Sequence, residues 1–137
     1  MQTETTQLEQ AMKCLSHYIE ENQSNSFKKH GAFFAFSKRQ YEDQAKPDIK
    51  YMSCGAGLIC PEANATALMD DLESIVSEGI KQDIAENGVD NIIKRELANH
   101  EYGYTWDITD TCSALERYGI EKTYIQIMAN QMDWSDY

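Results

Sequence analysis

Two prolines, three histidines and twelve basic residues are all that this chain of 137 residues holds of those types, and no run of eighteen apolar residues occurs in it. Each scarcity excludes something. Without such a run there is no candidate transmembrane helix. The N-terminal stretch MQTETTQLEQAMKC has neither the basic start nor the apolar segment of a secretion signal. The expectation is therefore a cytoplasmic protein with no membrane partner. The three histidines form no H-E-x-x-H pattern, and the four cysteines, Cys14, Cys54, Cys60 and Cys112, include no C-x-x-C pair. Neither a metal nor another cofactor is expected. In a reducing compartment the thiols stay free and pack as small hydrophobes.

Basic residues are the other scarcity. Twelve lysines and arginines face 23 acids, for a net charge of −11. The imbalance is local: residues 1–59 hold seven acids and seven bases, whereas residues 60–116 hold thirteen acids against Lys81, Lys94 and Arg95. Such a field repels nucleic acid and anionic membrane and attracts basic surfaces. The cluster Lys28, Lys29 and His30, with Lys38 and Arg39 downstream and Phe27 beside it, is too small to reverse that balance, so no direct nucleic-acid partner is expected.

What is present is a hydrophobic content of 42%, ample for a packed core, and clear periodicity. Leu8, Met12, Leu15 and Ile19 predict an amphipathic helix over roughly residues 5–22, with Thr6 and Glu9 as a capping box; NQSNSFKKHG then reads as a loop. GAFFAFS predicts a strand, and Ser37 with Gln40 caps a short helix. A second strand is expected from about Ile49 to Cys60, interrupted by Gly55 and Gly57. From Pro61 onward the pattern is helical. Leu68, Leu72, Ile75, Val76, Ile80 and Ile84 form one long stripe ending at Gly88, and Asp90 is read as the next cap. Asp107 or Thr109 caps a later helix, and the last, over about 121–132, is expected to bury Tyr124, Ile127 and Met128. The fold class is α+β: a small antiparallel sheet or hairpin in the N-terminal half, with five or six packed helices, mostly C-terminal, in one globular domain over 1–137.

Candidate chemistry is sparse. CGAGLICPEAN places two glycines between a strand and a helix, but it lacks the lysine of a phosphate-binding P-loop and the third glycine of a dinucleotide site. No nucleophile sits in a G-x-S-x-G setting, so no catalytic residue is assigned. NHEYGYTWDITDT gathers Glu96 and His100, one helical turn apart, with Glu101, Tyr102, Tyr104, Trp106 and Asp107. These seven are the candidate lining of a small-ligand, nucleotide or metal pocket; as a plain hinge, the aromatics are packing anchors and Asp107 a cap. Ten acids between Glu62 and Glu101 place one carboxylate per roughly 6 Å of helix. Asp70, Asp71, Glu73, Glu78, Asp83, Glu86 and Asp90 are the candidate partner-binding face.

GAFFAFSKRQYE, RELANHEYGYTWDITDT and ALERYGI resemble uncharacterised small acidic proteins of phages and bacterial mobile elements. The resemblance covers about a third of the chain and carries no activity. It implies a setting in which a small protein inhibits host machinery, including defence proteins, by binding it. The resulting expectation is a non-enzymatic nucleic-acid mimic that occupies a basic surface of a host protein. Self-association through Trp134 and Tyr137, giving a homo-oligomer, is a further expectation.

Overall fold

The computed structural model of the chain describes residues 13–135. They form seven α-helices and a three-stranded antiparallel sheet lying in the N-terminal half, an α+β architecture. The contacts group into two compact units, residues 15–79 and residues 80–135 together with 13–14. Each has its own core.

In the first unit, α1 (Leu15–His30) is followed by β1 (Phe33–Phe34), α2 (Lys38–Gln44), β2 (Tyr51–Gly55), β3 (Leu58–Pro61), a single 3-10 turn and the start of α3 (Ala65–Asn87). Helix α1 runs eight residues past the expected end, through the stretch read as a loop. Its polar residues hid the continuation. Ser26 and His30 are buried there, Phe27 packs on the core, and Lys28, Lys29 and His30 complement the negative end of the helix dipole. The Thr6–Glu9 capping box, with Leu8 and Met12, lies outside the described residues.

The strand expected over 49–60 is instead a hairpin, β2 against β3. Gly55, Ala56 and Gly57 all have positive φ, and the register slips between Ser53 and Gly55. The order is β1-β3-β2, with Phe33 opposite Ile59 and Met52 opposite Cys60. Strand β3, central in the sheet, supplies Leu58 and Cys60 to a core completed by Ala65 and Leu68 of α3. The Ser37 cap forms as the spacing predicts: Gln40 N–H donates to Ser37 Oγ at 3.2 Å, while Gln40 Oε1 accepts from Phe36 N at 2.7 Å. Gln44 Nε2 donates to the Phe34 carbonyl at 2.9 Å, which ties α2 to β1. Further along, α1 crosses α3 at Gly79, where a Cβ would stand 2.4 Å from Ile19 Cγ2. Only hydrogen fits there.

In the second unit, the end of α3 is followed by α4 (Val89–Asn99), α5 (Tyr102–Thr105), α6 (Thr109–Ala114), a 3-10 turn over Glu116–Tyr118, and α7 (Lys122–Gln131). Ile92, Ile93 and Leu97, the apolar stripe of α4, pack with Leu115, Ile125 and Met128. Helix α7 turns a different face inward than expected: Ile125, Met128 and Ala129 are buried, while Tyr124 and Ile127 are exposed. Trp134 is buried at 8% exposure, and its indole N–H donates to the Ala129 carbonyl at 2.9 Å. Trp134 is therefore not a surface contact for self-association, and Tyr137 lies outside the described residues. All four cysteines are free thiols, and among the described residues no helix is long and apolar enough to cross a membrane.

Candidate functional site

The seven carboxylates expected on one face occupy different settings. On the part of α3 in the first unit, Asp70 and Glu73 are exposed on one side, and Glu78 is exposed on another, the side it shares with Asp71 two turns earlier. Asp71 is already engaged. Its Oδ2 lies 2.7 Å from His30 Nε2, accepts from Ser26 Oγ at 3.4 Å, and has the Lys29 ammonium at 3.6 Å. The His30 hydrogen bond, aided by the charges of Lys29 and His30, holds its carboxyl below the usual aspartate range. Ser26 bonds the carboxylate rather than the imidazole, so the three residues make a tie between α1 and α3, not a nucleophile and its base.

In the second unit Asp83 has no solvent exposure at all, which removes it from any outward face. Arg95 donates to it on two parallel bonds, Nη1 to Oδ1 and Nη2 to Oδ2, both 2.9 Å. Tyr118 O–H and Asn87 Nδ2 also donate, at 2.5 and 2.7 Å. Burial acts to raise the Asp83 carboxyl, but these donors outweigh it and keep the group ionised, below its usual range. A buried charge is tolerable only when paired and fully hydrogen-bonded, and this one is. No sequence spacing announced the pair, because Asp83 and Arg95 look like ordinary surface residues of an acidic helix stripe. Glu86 and Asp90 remain exposed; Asp90 accepts from Tyr124 O–H and does not cap α4, whose N-cap is Gly88.

The pocket expected at residues 96–107 forms in part. Glu96 pairs with Arg95 at 3.0 Å and with His100 at 3.4 Å, so both end up on the buried pair's periphery. Glu101 stands at the N-cap position of α5 without a side-chain cap bond, Tyr104 points into solvent at 79% exposure, and Asp107 accepts from both N and Oγ1 of Thr109. That Asx turn, led by the Thr109 side chain, holds Asp107 below its usual range. None of these five lines the cavity beside Tyr102 and Trp106.

Tyr102 and Trp106 do. They meet edge to face at 5.6 Å, and Tyr102 meets Trp134 in the same way at 5.2 Å. Together with Asn130, Met132 and Asp133 they line an open cavity of about 610 Å³. Its far wall comes from residues 129–135, which sequence reading left out because Trp134 was expected on the surface. The single-turn helix α5 presents Trp106 in an unusual way. Glu101 and Trp106, at its two ends, both adopt left-handed backbone conformations, with φ of 57° and 56°. For a bulky side chain that costs of order 1–3 kcal/mol and needs support from its surroundings. Trp106 N–H donates to the Tyr102 carbonyl at 2.8 Å, and the next residue's N–H donates to Thr105 Oγ1 at 3.2 Å. The backbone is thus held and the ring rests edge to face on Tyr102, yet Trp106 is 65% exposed. Asp133 Oδ1 accepts from Ser135 N at 2.9 Å, which holds this carboxylate at the cavity below its usual range. Among the described residues no three His, Cys, Asp or Glu side chains are grouped to hold a metal ion.

Residues 15–132 match the model of a family of unknown function, DUF7659. The chain belongs to that family. The DUF7659 match takes in every element from α1 to α7, and with them Tyr102, Trp106, Asn130 and Met132 of the cavity. No curated protein and no solved structure matches the chain.

Proposed function

We propose that the protein is a non-catalytic interaction protein that binds a basic segment of a partner protein, with the Trp106 cavity as the seat of an anchor side chain. One observation carries this reading: a tryptophan fixed in a strained backbone conformation and left 65% exposed over an open aromatic cavity edged by a carboxylate. As the left-handed C-cap of α5 the position suits glycine or asparagine, and a tryptophan there leaves most of its indole in water. Tryptophan and tyrosine are enriched among the residues that carry the binding energy of protein interfaces. The charge agrees in sign, since residues 80–135 hold ten acids and five bases, a field that speeds the approach of a cationic partner.

This reading replaces a continuous decoy face of seven carboxylates, which loses Asp83 to the core and Asp71 to Lys29 and His30. Its narrower form is inhibition of a host nucleic-acid-handling or defence protein, in the cytoplasm of a cell carrying a phage or mobile element. That form draws on the acidic balance and the sequence resemblance.

The test is affinity for a lysine- and arginine-rich peptide, measured for the wild type and for Trp106→Ala. Tenfold or greater weakening, about 1.4 kcal/mol, is expected for the variant. Equal affinities would show that the cavity is not the seat.

A further inference from the structure

We infer that the open edge of β2 takes on an extended segment of a partner protein as an added strand, one that carries an apolar residue and a lysine or arginine two positions apart. The site lies in the first unit and does not draw on the Trp106 cavity. It follows from the hydrogen-bond pattern of the hairpin. In the order β1-β3-β2, β2 has, among the described residues, a strand neighbour on one side only. The N–H of Glu62 donates to the Lys50 carbonyl at 2.8 Å, which makes those two a hydrogen-bonded pair. Bonded and non-bonded pairs alternate along an antiparallel ladder. Tyr51–Pro61 and Ser53–Ile59 are therefore the non-bonded pairs, and they fit that role: Pro61 has no N–H to give, and Ile59 pairs with Phe33 on its other side. The N–H and C=O groups of Tyr51 and Ser53 thus point away from the sheet, a row that another strand can meet.

The side of β2 that faces α3 shows what the segment must carry. Met52 and Cys54, on that side, line an open cavity of about 490 Å³ with Ala65, Met69, Glu62 and Asp70. Met52 and Met69 are 42% and 49% exposed, and their thioether side chains adapt in shape to what they meet. No lysine or arginine lines the cavity. Glu62 is tied to Lys50 at 3.3 Å, whereas the exposed Asp70 makes no ion pair among the described residues. A strand laid along β2 turns every second side chain toward α3. One of these covers the two methionines, and the next, if cationic, reaches Asp70. Sheet edges are usually blunted by a charge, a proline or a bulge. Here the bulge comes only at the end of β2, and the charge at its start, Lys50, is bound to Glu62.

The experiment uses the full chain and capped threonine peptides that carry valine and, two positions on, either lysine or glutamate, together with a backbone N-methylated form of the lysine peptide. Calorimetry reads affinity, and magnetic resonance reads amide exchange at Tyr51 and Ser53. The lysine peptide is expected to slow exchange at both amides and to bind about tenfold more tightly than the glutamate peptide and than the N-methylated one. Asp70→Asn is expected to remove the preference for lysine over glutamate. Ser53→Pro deletes an outward N–H without touching the ladder to β3 and is expected to weaken the lysine peptide about tenfold. Unchanged methyl shifts of Leu58 and Leu68 verify the fold of that variant; if they change, the N-methylated peptide alone decides. Absence of binding by the lysine peptide overturns the inference, as does equal binding by the N-methylated or the glutamate peptide. Protection of Tyr51 and Ser53 that grows with protein concentration in the absence of peptide overturns it too, since a second copy then takes the edge. Trp106→Ala is expected to leave the affinity of the lysine peptide unchanged. If that variant weakens it, the peptide sits on the second unit, and this inference falls while the reading above stands. If that variant weakens neither this peptide nor the lysine- and arginine-rich one, the reading above falls alone.

Discussion

Arg95 grips Asp83 with two parallel hydrogen bonds of 2.9 Å, and their side chains are only 4% and 0% exposed. Two residues twelve positions apart on successive helices thereby fasten the end of α3 to α4 inside the second unit. Removing Asp83 leaves a buried guanidinium with only Glu96 and the Lys13 carbonyl to answer it, and removing Arg95 leaves a fully buried carboxylate without its counter-charge. Asp83→Ala is expected to destabilise that unit by about 3–5 kcal/mol. The double change Asp83→Leu with Arg95→Met is expected to cost much less, because neither half of the buried pair is left behind. Chemical denaturation of the three proteins checks both statements.

The same network fixes a pH dependence. Asp83 is held below its usual range in the folded chain, so the stability it contributes is complete above the unfolded value, near 4, and is lost as pH falls through the lower folded value. Tyr118 shows the opposite sign. Burial first, then its hydrogen bond to Asp83, push the phenol well above its ordinary value of about 10. Its contribution is complete below that value and is lost as pH rises through the folded one. Unfolding curves of Asp83→Asn should be flatter than wild type on the acid side. In Tyr118→Phe the tyrosinate absorbance should lose the latest-titrating of the tyrosines.

Gly79 offers a test of close packing. Alanine is normally worth up to about 1 kcal/mol over glycine inside a helix. Here a Cβ would lie 2.4 Å from Ile19 Cγ2 and 3.4 Å from Leu15 Cδ1. Gly79→Ala is therefore expected to destabilise the first unit by roughly 1–3 kcal/mol, a sign opposite to helix propensity. Thermal unfolding reads the sign directly. Ile19→Ala in the same background should recover part of the loss.

Cys60 has no solvent exposure, and burial, reinforced by Cys54, raises its thiol. It should be the slowest of the four cysteines to react with an alkylating reagent in the native state and should react as fast as the others in denaturant.

Much of the architecture could be read from local pattern, and the misreadings share a cause. The stripe Leu68 to Ile84, the Ser37 cap and the apolar face of α4 are set by residues three or four positions apart. Where a distant partner decides, local pattern fails. The second half of α1 looks like a polar loop because the reason to bury Ser26 and His30 is Asp71, more than forty positions away. Asp83 looks like one more surface acid until Arg95 and Tyr118 close on it. At the candidate site, Tyr102 and Trp106 were visible as an aromatic cluster, but Trp134 was not, since the ring it packs on, Tyr102, lies 32 positions earlier.

The most direct test of the central claim is to map, on isotopically labelled protein, which resonances move when a lysine-rich peptide is added. The account predicts the largest shifts at the indole N–H groups of Trp106 and Trp134 and at the backbone of Asn130 and Asp133. Shifts confined to the exposed carboxylates Asp70, Glu73, Glu78 and Glu86, with both indoles unmoved, would contradict it.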